Sequence, residues 1–586
     1  MKLSRLDSER GFSLVLVMVL IGTAILFLSG ALQWSSAGSG LTDRNNDYYT
    51  AMAAAEAATE KVIAEICRDF QKGGYAEVES KLGYYRTLVP TRSESADWAA
   101  YEFTDADKAL NRTTVERVQD WQFLPLDWKY AGFNGNRAAY RVISNARLTG
   151  WGSGAVGTVK QEVQVAEVPL FEFGAFYNLP MEVDSLQHDL SLSGHVHSNT
   201  NAYFGPPPLI NLTLAGDVTS AGSIVHQGNS SLLLGLPLPV VGNVIYKGAS
   251  DAKVSSLNLP LGTNNTPELL HEIIETPPLS ESPESLLGRQ RFYNKADLVI
   301  LVSDAGATAM SGYTNGFRPF SSAEYDTIIK PFVSTDTKLF DARQNKYYHL
   351  TQIDVAGLRA KYAEVRSRIA TDPRIIYVAD TRYRNSPTDA AGVRIINAQT
   401  LPERVGLTVA TMNPLYVQGN FNAHPSFLLT NNTRLTEPAA LICDALTILS
   451  ETWNDADSLS TNSNPLLNGL PSTPIRLASL GITINAGIIT GIVPTSASVY
   501  SGSIQNVFSL LENWLLSRFT FNGSLAVLYR SEKATQPYRD PGQYYQPPLL
   551  RTIDFDTNFA QRDKLPHGTP QLRTLIRSRW SITEVN

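Results

Sequence analysis

The chain has 586 residues, of which 43% are hydrophobic and 18% charged. This composition is typical of globular proteins, and the length predicts at least two domains. Lysine and arginine total 49 against 55 aspartate and glutamate, a formal net charge of −6. That balance provides no broad cationic surface for a polyanion and argues against nucleic-acid binding. The two cysteines, Cys67 and Cys443, lie too far apart for their spacing to indicate a disulfide framework, and the sequence leaves open whether they pair.

The chain opens with a long apolar segment. No charged residue occurs from Phe12 to Thr42. As a helix, the stretch from Phe12 to Leu32 would span about 31 Å, the thickness of a bilayer's hydrocarbon core. Basic residues precede this stretch and few follow it closely, so the positive-inside bias places the N-terminus in the cytoplasm. The segment therefore predicts a single-pass membrane protein whose bulk lies outside the cytoplasm.

Three interpretations of this segment are open. A secretory signal peptide would have an apolar core of about 7 to 15 residues and a small-residue cleavage site, for which Ser35–Gly38 could serve. A plain single-pass anchor fits the length. The interpretation that we favour depends on Gly11, with Arg10 before it and Phe12 after it. This arrangement resembles the processing site of type IV prepilins, which implies a cut after Gly11 on the cytoplasmic side and a helix that then starts at a methylated Phe12.

The helix is predicted to continue beyond the membrane. Apolar and small residues recur every three or four positions, which places them in one stripe along a helix. The stripe consists of Tyr48, Met52, Ala55, Thr59, Val62, Ile66 and Phe70. Gly73 and Gly74 are expected to end this helix. The sequence thus predicts one helix over residues 12–72, with an apolar first part and an amphipathic second part.

These residues resemble the PilX-type minor pilins. The resemblance is carried by "RGFSLVLVMVLIGTAILFLSGA", by the "DRNNDYYTAMAAAEAATE" block, and by Leu16, which stands where major pilins have a glutamate. It implies a minor pilin or pseudopilin of a type IV pilus or a type II secretion system, held in the inner membrane. The K-type minor pseudopilin also lacks the glutamate, which implies a position at the tip. The implied partners are membrane lipid, other pilins or pseudopilins, and a prepilin peptidase.

The remainder of the chain resembles, more loosely, large bacterial proteins with a PilX-like start and a long β-rich region. Phrases such as "FEFGAFYN" and "LSGHVHSNTNAYF" carry this resemblance. It implies a location and a set of partners rather than a chemistry.

Short apolar runs that end at Gly, Asn or Ser predict many short strands beyond the helix. We predict an α+β fold, a long N-terminal pilin-like α-helix followed by a β-rich region, and we favour a β-solenoid over a sandwich. The expected segments are a cytoplasmic leader (1–11), the helix (12–72), an α/β connecting region with a hairpin (73–178), a first β-rich segment (179–260), a polar interval with helices (261–392) and a second β-rich segment (393–586).

Motifs that carry chemistry are scarce. The chain contains neither the Gly-x-Ser-x-Gly of a serine hydrolase nor a phosphate-binding Gly-x-x-x-x-Gly-Lys. His195 and His197 are weak metal candidates, since residues two apart on a strand point to one face, but ordinary surface histidines explain them better. "HEIIE" at His271–Glu275 lacks the second histidine of a zinc protease, and we interpret it as a helix start with solvated charges. Asp455 and nearby acidic residues are a weaker calcium candidate.

We therefore predict a structural subunit rather than an enzyme, with no cofactor and no metal. Its β-rich region would serve adhesion or recognition, with a surface glycan or a protein as ligand. Two alternatives are a membrane-anchored surface solenoid without a filament role, and a polysaccharide-active enzyme that uses paired carboxylates.

Overall fold

A computed structural model describes residues 10–126, 132–150, 154–184, 186, 188–228, 241–262, 265–459, 478–497, 499–538, 547–548 and 550–582. Residue contacts divide the chain into two units. The N-terminal unit comprises Met1–Gln122, Arg137–Ala166 and Leu575–Asn586, and the β-rich unit comprises Phe123–Asn136 and Glu167–Thr574.

The N-terminal unit is built on one long helix. Helix α1 (Arg10–Ser80) has 71 residues and includes Gly74 in a non-helical conformation, with φ 70° and ψ −161°. Glycine takes this conformation because it has no Cβ, so the chain bends at Gly74 and resumes its helix instead of ending there. A short helix, α2 (Leu82–Tyr85), follows.

The amphipathic half of α1 packs on a five-stranded sheet, most of which lies in the N-terminal unit. Its strands are β1 (Tyr101–Thr104), β2 (Thr114–Pro125), β3 (Asn134–Leu148), β4 (Val156–Pro169) and β29 (Gln571–Ile582). The order is β1-β3-β4-β29, with β2 also paired to β3. The predicted stripe is the side of the helix that is buried: Ala55, Thr59, Val62, Ile66 and Phe70 are all inaccessible to solvent.

Small residues allow the helix and the sheet to approach closely. A Cβ on Gly157 of β4 would lie 2.3 Å from the backbone nitrogen of Met52. The helix presents Ala51, Ala54 and Ala58 on its buried side. Because the two backbones nearly touch here, no larger residue fits at position 157 without moving the helix.

The β-rich unit holds the remaining strands. They are β5 (Phe173–Tyr177), β6 (Met181–Asp184), β7 (Leu190–Leu192), β8 (His195–Ser198), β9 (Ala202–Gly205), β10 (Asn211–Leu214), β11 (Val218–Ser220), β12 (Ile224–Val225), β13 (Asn243–Tyr246), β14 (Ser250–Ala252), β15 (Leu298–Ser303), β16 (Gly306–Ser311), β17 (Val333–Asp341), β18 (Lys346–Asp354), β19 (Ile375–Asp380), β20 (Asp389–Ile396), β21 (Leu407–Thr411), β22 (Leu415–Gln418), β23 (Ala439–Cys443), β24 (Leu446–Leu449), β25 (Gly481–Ile492), β26 (Phe508–Leu510), β27 (Arg518–Arg530) and β28 (Leu550–Phe555).

These strands form three sheets. A 15-stranded sheet runs in the order β13-β10-β7-β28-β27-β25-β23-β21-β19-β15-β16, and a second path joins β27 to β5, β8, β11 and β14. A 6-stranded sheet has the order β17-β18-β20-β22-β24-β26, and a 3-stranded sheet the order β12-β9-β6. Nearly all neighbours are parallel, the exceptions being the β15/β16 and β17/β18 pairs.

One hydrophobic core runs between these sheets. Residues from early and late strands of the 15-stranded sheet and from the 6-stranded sheet contribute to it. Examples are Leu192, Val196, Val409, Leu441 and Val417. Parallel strands with both faces covered read as continuous apolar runs, and β21 and β23 are buried at every position.

Short helices interrupt the strands between residues 261 and 392, and one more follows. They are α3 (Pro267–His271), α4 (Phe292–Lys295), α5 (Ser322–Glu324), α6 (Val355–Ala360), α7 (Tyr362–Ile369) and α8 (Asp455–Leu459). The interval expected to be polar also supplies strands of both larger sheets, among them β15, β18 and β19. The α+β class and the long N-terminal helix are confirmed.

Candidate functional site

The apolar first part of α1 is the largest exposed apolar surface among the described residues. Its large side chains are exposed to solvent: Phe27 is 81% exposed and Trp34 84%. The helix is long and apolar enough to cross a membrane, by length and composition. Apolar surface of this extent marks a region that is buried against lipid or protein.

The predicted processing and membrane-spanning residues lie on this helix. Gly11 and Phe12 are in its first turns, since the helix begins at Arg10. Leu32, the expected end of the membrane span, is 67% exposed. Residues 1–9 of the predicted leader lie outside the described residues, and cleavage after Gly11 stays a prediction.

The β-rich unit carries a polar groove of about 450 Å³ on the 6-stranded sheet. Its floor is formed by Gln352 of β18, Arg394 of β20 and Gln418 of β22. Gln352 and Arg394 are direct neighbours across the parallel pair. Because side chains alternate along a strand, the residues on either side of these point into the core, as Val393 and Ile395 do.

Hydrogen bonds hold the floor of the polar groove in place. The Arg394 guanidinium binds both carboxylate oxygens of Asp455, at 2.7 and 3.0 Å, and donates to Oε1 of Gln352 at 2.9 Å. The indole Nε1 of Trp453 donates to Asp455 at 2.8 Å. Both oxygens of Asp455 thus accept hydrogen bonds, from a bidentate guanidinium and an indole, and this arrangement fixes the orientation of the carboxylate.

The rim of the groove is exposed and polar. It includes the exposed Arg359, Asn397 and Glu451 and the half-buried Asn420. Amide, guanidinium and carboxylate groups together offer donors and acceptors in fixed planes, so the polar groove suits a ligand rich in hydroxyl groups. Sequence reasoning missed it, because its floor residues are single polar positions on separate strands.

His195 and His197 lie in β8 beside a phenylalanine cluster. His197 is buried, its ring stacks on Phe176 with centroids 5.3 Å apart, and its two nitrogens face Oγ1 of Thr219 at 2.7 Å and Oδ1 of Asn199 at 2.9 Å. Burial lowers the pKa of His197 to about 4. With both nitrogens hydrogen-bonded, this imidazole has no lone pair left for a metal.

His195 is half-buried and has one distant acidic neighbour. Its Nδ1 lies 3.9 Å from Oδ2 of Asp217, and its ring packs on Phe133 with centroids 4.1 Å apart. Burial lowers the pKa of His195, and the Asp217 carboxylate opposes that effect. The two histidines therefore act as packing residues of the strand.

The expectation of solvated charges at His271–Glu275 is wrong for its first residue. His271 is 2% exposed and its Nε2 lies 3.0 Å from Oδ1 of Asp444, which is also buried. This contact could not be predicted, because the two residues are 173 positions apart in the chain. Cys67 and Cys443 are both free thiols, and burial raises the pKa of each.

Comparisons with known proteins are sparse. No family model matches the chain, and no curated protein matches it. The competence-associated pilin ComZ from Thermus thermophilus is similar in structure at 9% identity over 92% of this chain and 97% of its own, with a TM-score of 0.26. A similarity at that score carries no argument about function.

Proposed function

We propose that the protein is a pilin-like structural subunit, a minor pilin or pseudopilin of the PilX kind, which acts without catalysis. The observation that carries the proposal is α1 itself: an exposed apolar first part is continuous with an amphipathic part that packs on a sheet. Such a helix can reside in lipid before assembly and among like helices afterwards. The N-terminus would be cytoplasmic, the span would lie in the inner membrane, and the remainder would be periplasmic or, within a filament, extracellular.

Hydrophobic burial supplies the driving force for both locations. Burying one large apolar side chain contributes about 1.5 to 3 kcal/mol, and α1 exposes a long series of them between Phe12 and Trp34. Exposure of the first part of the helix to water therefore costs roughly tens of kcal/mol in free energy. Exchange of lipid for neighbouring helices keeps that surface dry, so extraction from the membrane requires a bundle of similar helices.

Leu16 and the size of the β-rich unit favour a position at the end of a filament. A buried carboxylate needs a partner, and Leu16 removes that need at the position where major pilins have glutamate. A subunit with no neighbour ahead of it loses nothing by this change.

Processing tests the proposal. Mass spectrometry of the mature protein, expressed together with a prepilin peptidase, is expected to find Phe12 as the first residue, with a methylated amine. Gly11→Val should block the cut because it adds bulk at the cleaved bond. Gly22→Val is the matched control, since a Cβ at Gly22 of the same helix meets nothing within 4 Å. An intact Met1 in the wild-type protein, or a start near Gly38, would reject the proposal.

We further propose that the β-rich unit is a β-solenoid that presents the polar groove to a ligand. Support comes from parallel strands that pair in register after about 22 residues, Leu190 with Leu212 and Val196 with Val218, a repeat typical of coiling chains. Asparagines also stack between neighbouring coils: Asn522 donates to Oδ1 of Asn485 at 2.8 Å. Regular coils leave the outer face of the 6-stranded sheet available for recognition.

The hydroxyl-binding character of the polar groove suggests a surface glycan as ligand. A glycan array probed with the full-length protein in detergent should give binding that Asn420→Ala and Arg359→Ala weaken about tenfold. Lys330→Ala, an exposed change outside the groove, should leave it intact. Binding that none of these changes affects would refute the groove as the site. Glycan cleavage that is lost in Glu451→Gln would favour the polysaccharide-active alternative.

A further inference from the structure

A second cluster of side chains lies in the β-rich unit at the turn that follows α3. His271 ends α3, Glu275 follows one turn later, and Glu532 belongs to the loop after β27. One ligand atom from each of the three lies within 4.8 Å of the others. The His271 side chain is 3% exposed, that of Glu275 18% and that of Glu532 52%. The cluster is therefore anchored on a buried imidazole and opens to solvent at Glu532.

Asp444 fixes the orientation of this imidazole. Its carboxylate accepts from Oγ of Ser531 at 2.6 Å and from the backbone nitrogens of Glu532 and Lys533 at 2.7 and 3.0 Å. It is an acceptor throughout, so His271 donates Nε2–H to it at 3.0 Å. A neutral imidazole in this tautomer has its lone pair on Nδ1. Carboxylate partners of this kind orient the histidine ligands of metal ions.

Nδ1 of His271 faces two further acceptors. It lies 3.7 Å from Oε1 of Glu275 and 3.7 Å from Oε2 of Glu532, both beyond hydrogen-bond distance. Oε1 of Glu275 is buried and accepts no hydrogen bond from the described residues; its ion pair with Nζ of Lys533 spans 3.2 Å. The carboxylates of Glu275 and Glu532 favour a positive charge on the Nδ1 side of the ring, which a proton on Nδ1 or a metal ion bound in its place would supply.

The separations fit a small divalent ion. Ligands at about 2.1 Å around a tetrahedral ion are about 3.4 Å apart, so the 3.7 Å distances require only a small contraction. An imidazole nitrogen with two carboxylate oxygens suits zinc better than calcium or magnesium, which prefer oxygen ligands alone.

We propose that His271 Nδ1, Glu275 Oε1 and Glu532 Oε2 form a zinc site, with Asp444 as the residue that positions His271. The ion would link the turn after α3 to the loop after β27. Three protein ligands leave a coordination position for water or for a ligand. Lys533 competes with the ion for Glu275, and its ammonium must move away when zinc binds.

Zinc binding to the full-length protein in detergent tests this site. After treatment with a chelator and dialysis against micromolar ZnCl₂, elemental mass spectrometry should find one zinc per chain that depends on these residues. Glu275→Gln and Glu532→Gln should each weaken binding at least tenfold, because an amide is a poor ligand. Lys533→Gln should tighten it several-fold, which a merely structural ion pair would not predict.

Glu268→Gln is the matched control, since Glu268 is an exposed glutamate of the same short helix. It should bind zinc as the wild type does. Hydrogen exchange of each variant without zinc shows whether its fold is retained, and Glu532→Gln, at an exposed position, is the variant on which the conclusion depends. Absence of stoichiometric zinc in the wild type, or zinc retained at full affinity in both glutamate variants, would overturn the proposal.

Discussion

A buried glutamate makes the stability of the β-rich unit depend on pH. Glu172 is 3% exposed; one of its oxygens accepts the backbone N–H of Asn134 at 2.6 Å, and the other is buried without a hydrogen bond from the described residues. Burial raises the pKa of Glu172 from 4.5 to about 8, and the Asn134 hydrogen bond only partly opposes this effect. At neutral pH the side chain is therefore held as a neutral acid.

The sign and the size of the effect follow from this pKa. Above pH 4.5 the unfolded chain releases the proton while the folded chain keeps it, so the free energy of unfolding falls as pH rises and stops falling near pH 8. At 1.36 kcal/mol per pKa unit, the total loss is about 5 kcal/mol. Glu172→Gln is neutral at every pH and keeps an oxygen for the Asn134 N–H, so it should lack this loss.

Denaturant titrations at pH 5, 6, 7, 8 and 9 test this prediction by measuring the free energy of unfolding of the full-length wild type and of Glu172→Gln in detergent. Other buried acids titrate in both proteins, so the quantity that matters is the stability of the variant minus that of the wild type. This difference should move by about 4 kcal/mol in favour of Glu172→Gln between pH 5 and pH 9. A difference that stays constant from pH 5 to pH 9 would show that Glu172 is not held neutral and would refute the reasoning.

Two further changes test the packing within each unit. Gly157→Val should separate α1 from its sheet, because a Cβ there would lie 2.3 Å from the Met52 nitrogen. Limited proteolysis should then cut the amphipathic part of α1. Gly83→Val is the control, since a Cβ at Gly83 meets nothing within 4 Å, and it should resist proteolysis as the wild type does. Arg291→Ala should cost about 3 kcal/mol in a denaturant titration, since it removes a buried guanidinium and leaves the Glu281 carboxylate, only 13% exposed, unpaired. An unchanged midpoint would contradict this account of Arg291.

How far the sequence predicts the structure depends on how local each signal is. The amphipathic stripe of α1 was readable because residues three and four apart are neighbours on a helix, and the same stripe is the buried side. The predicted end of the helix at Gly73 and Gly74 is instead a bend, after which the helix continues to Ser80. A glycine pair indicates a break in helical dihedral angles but does not indicate whether the helix resumes beyond it. Short strands were readable from apolar runs and turn residues, whereas their partners were not.

The long apolar helix, the α+β class and the abundance of strands follow from local patterns of residues, since each depends on neighbours a few positions apart. The pairing of the strands, the place of the polar groove, and the meeting of His271 with Asp444 and Glu532 become visible only in the folded chain. Parallel strands join residues that are tens to hundreds of positions apart, and the apolar pattern within one strand does not specify its partner. Burial of His271 likewise depends on elements that are distant in the chain. The motif His271–Glu275, whose composition predicts solvated charges, therefore begins with a buried imidazole that has a carboxylate partner.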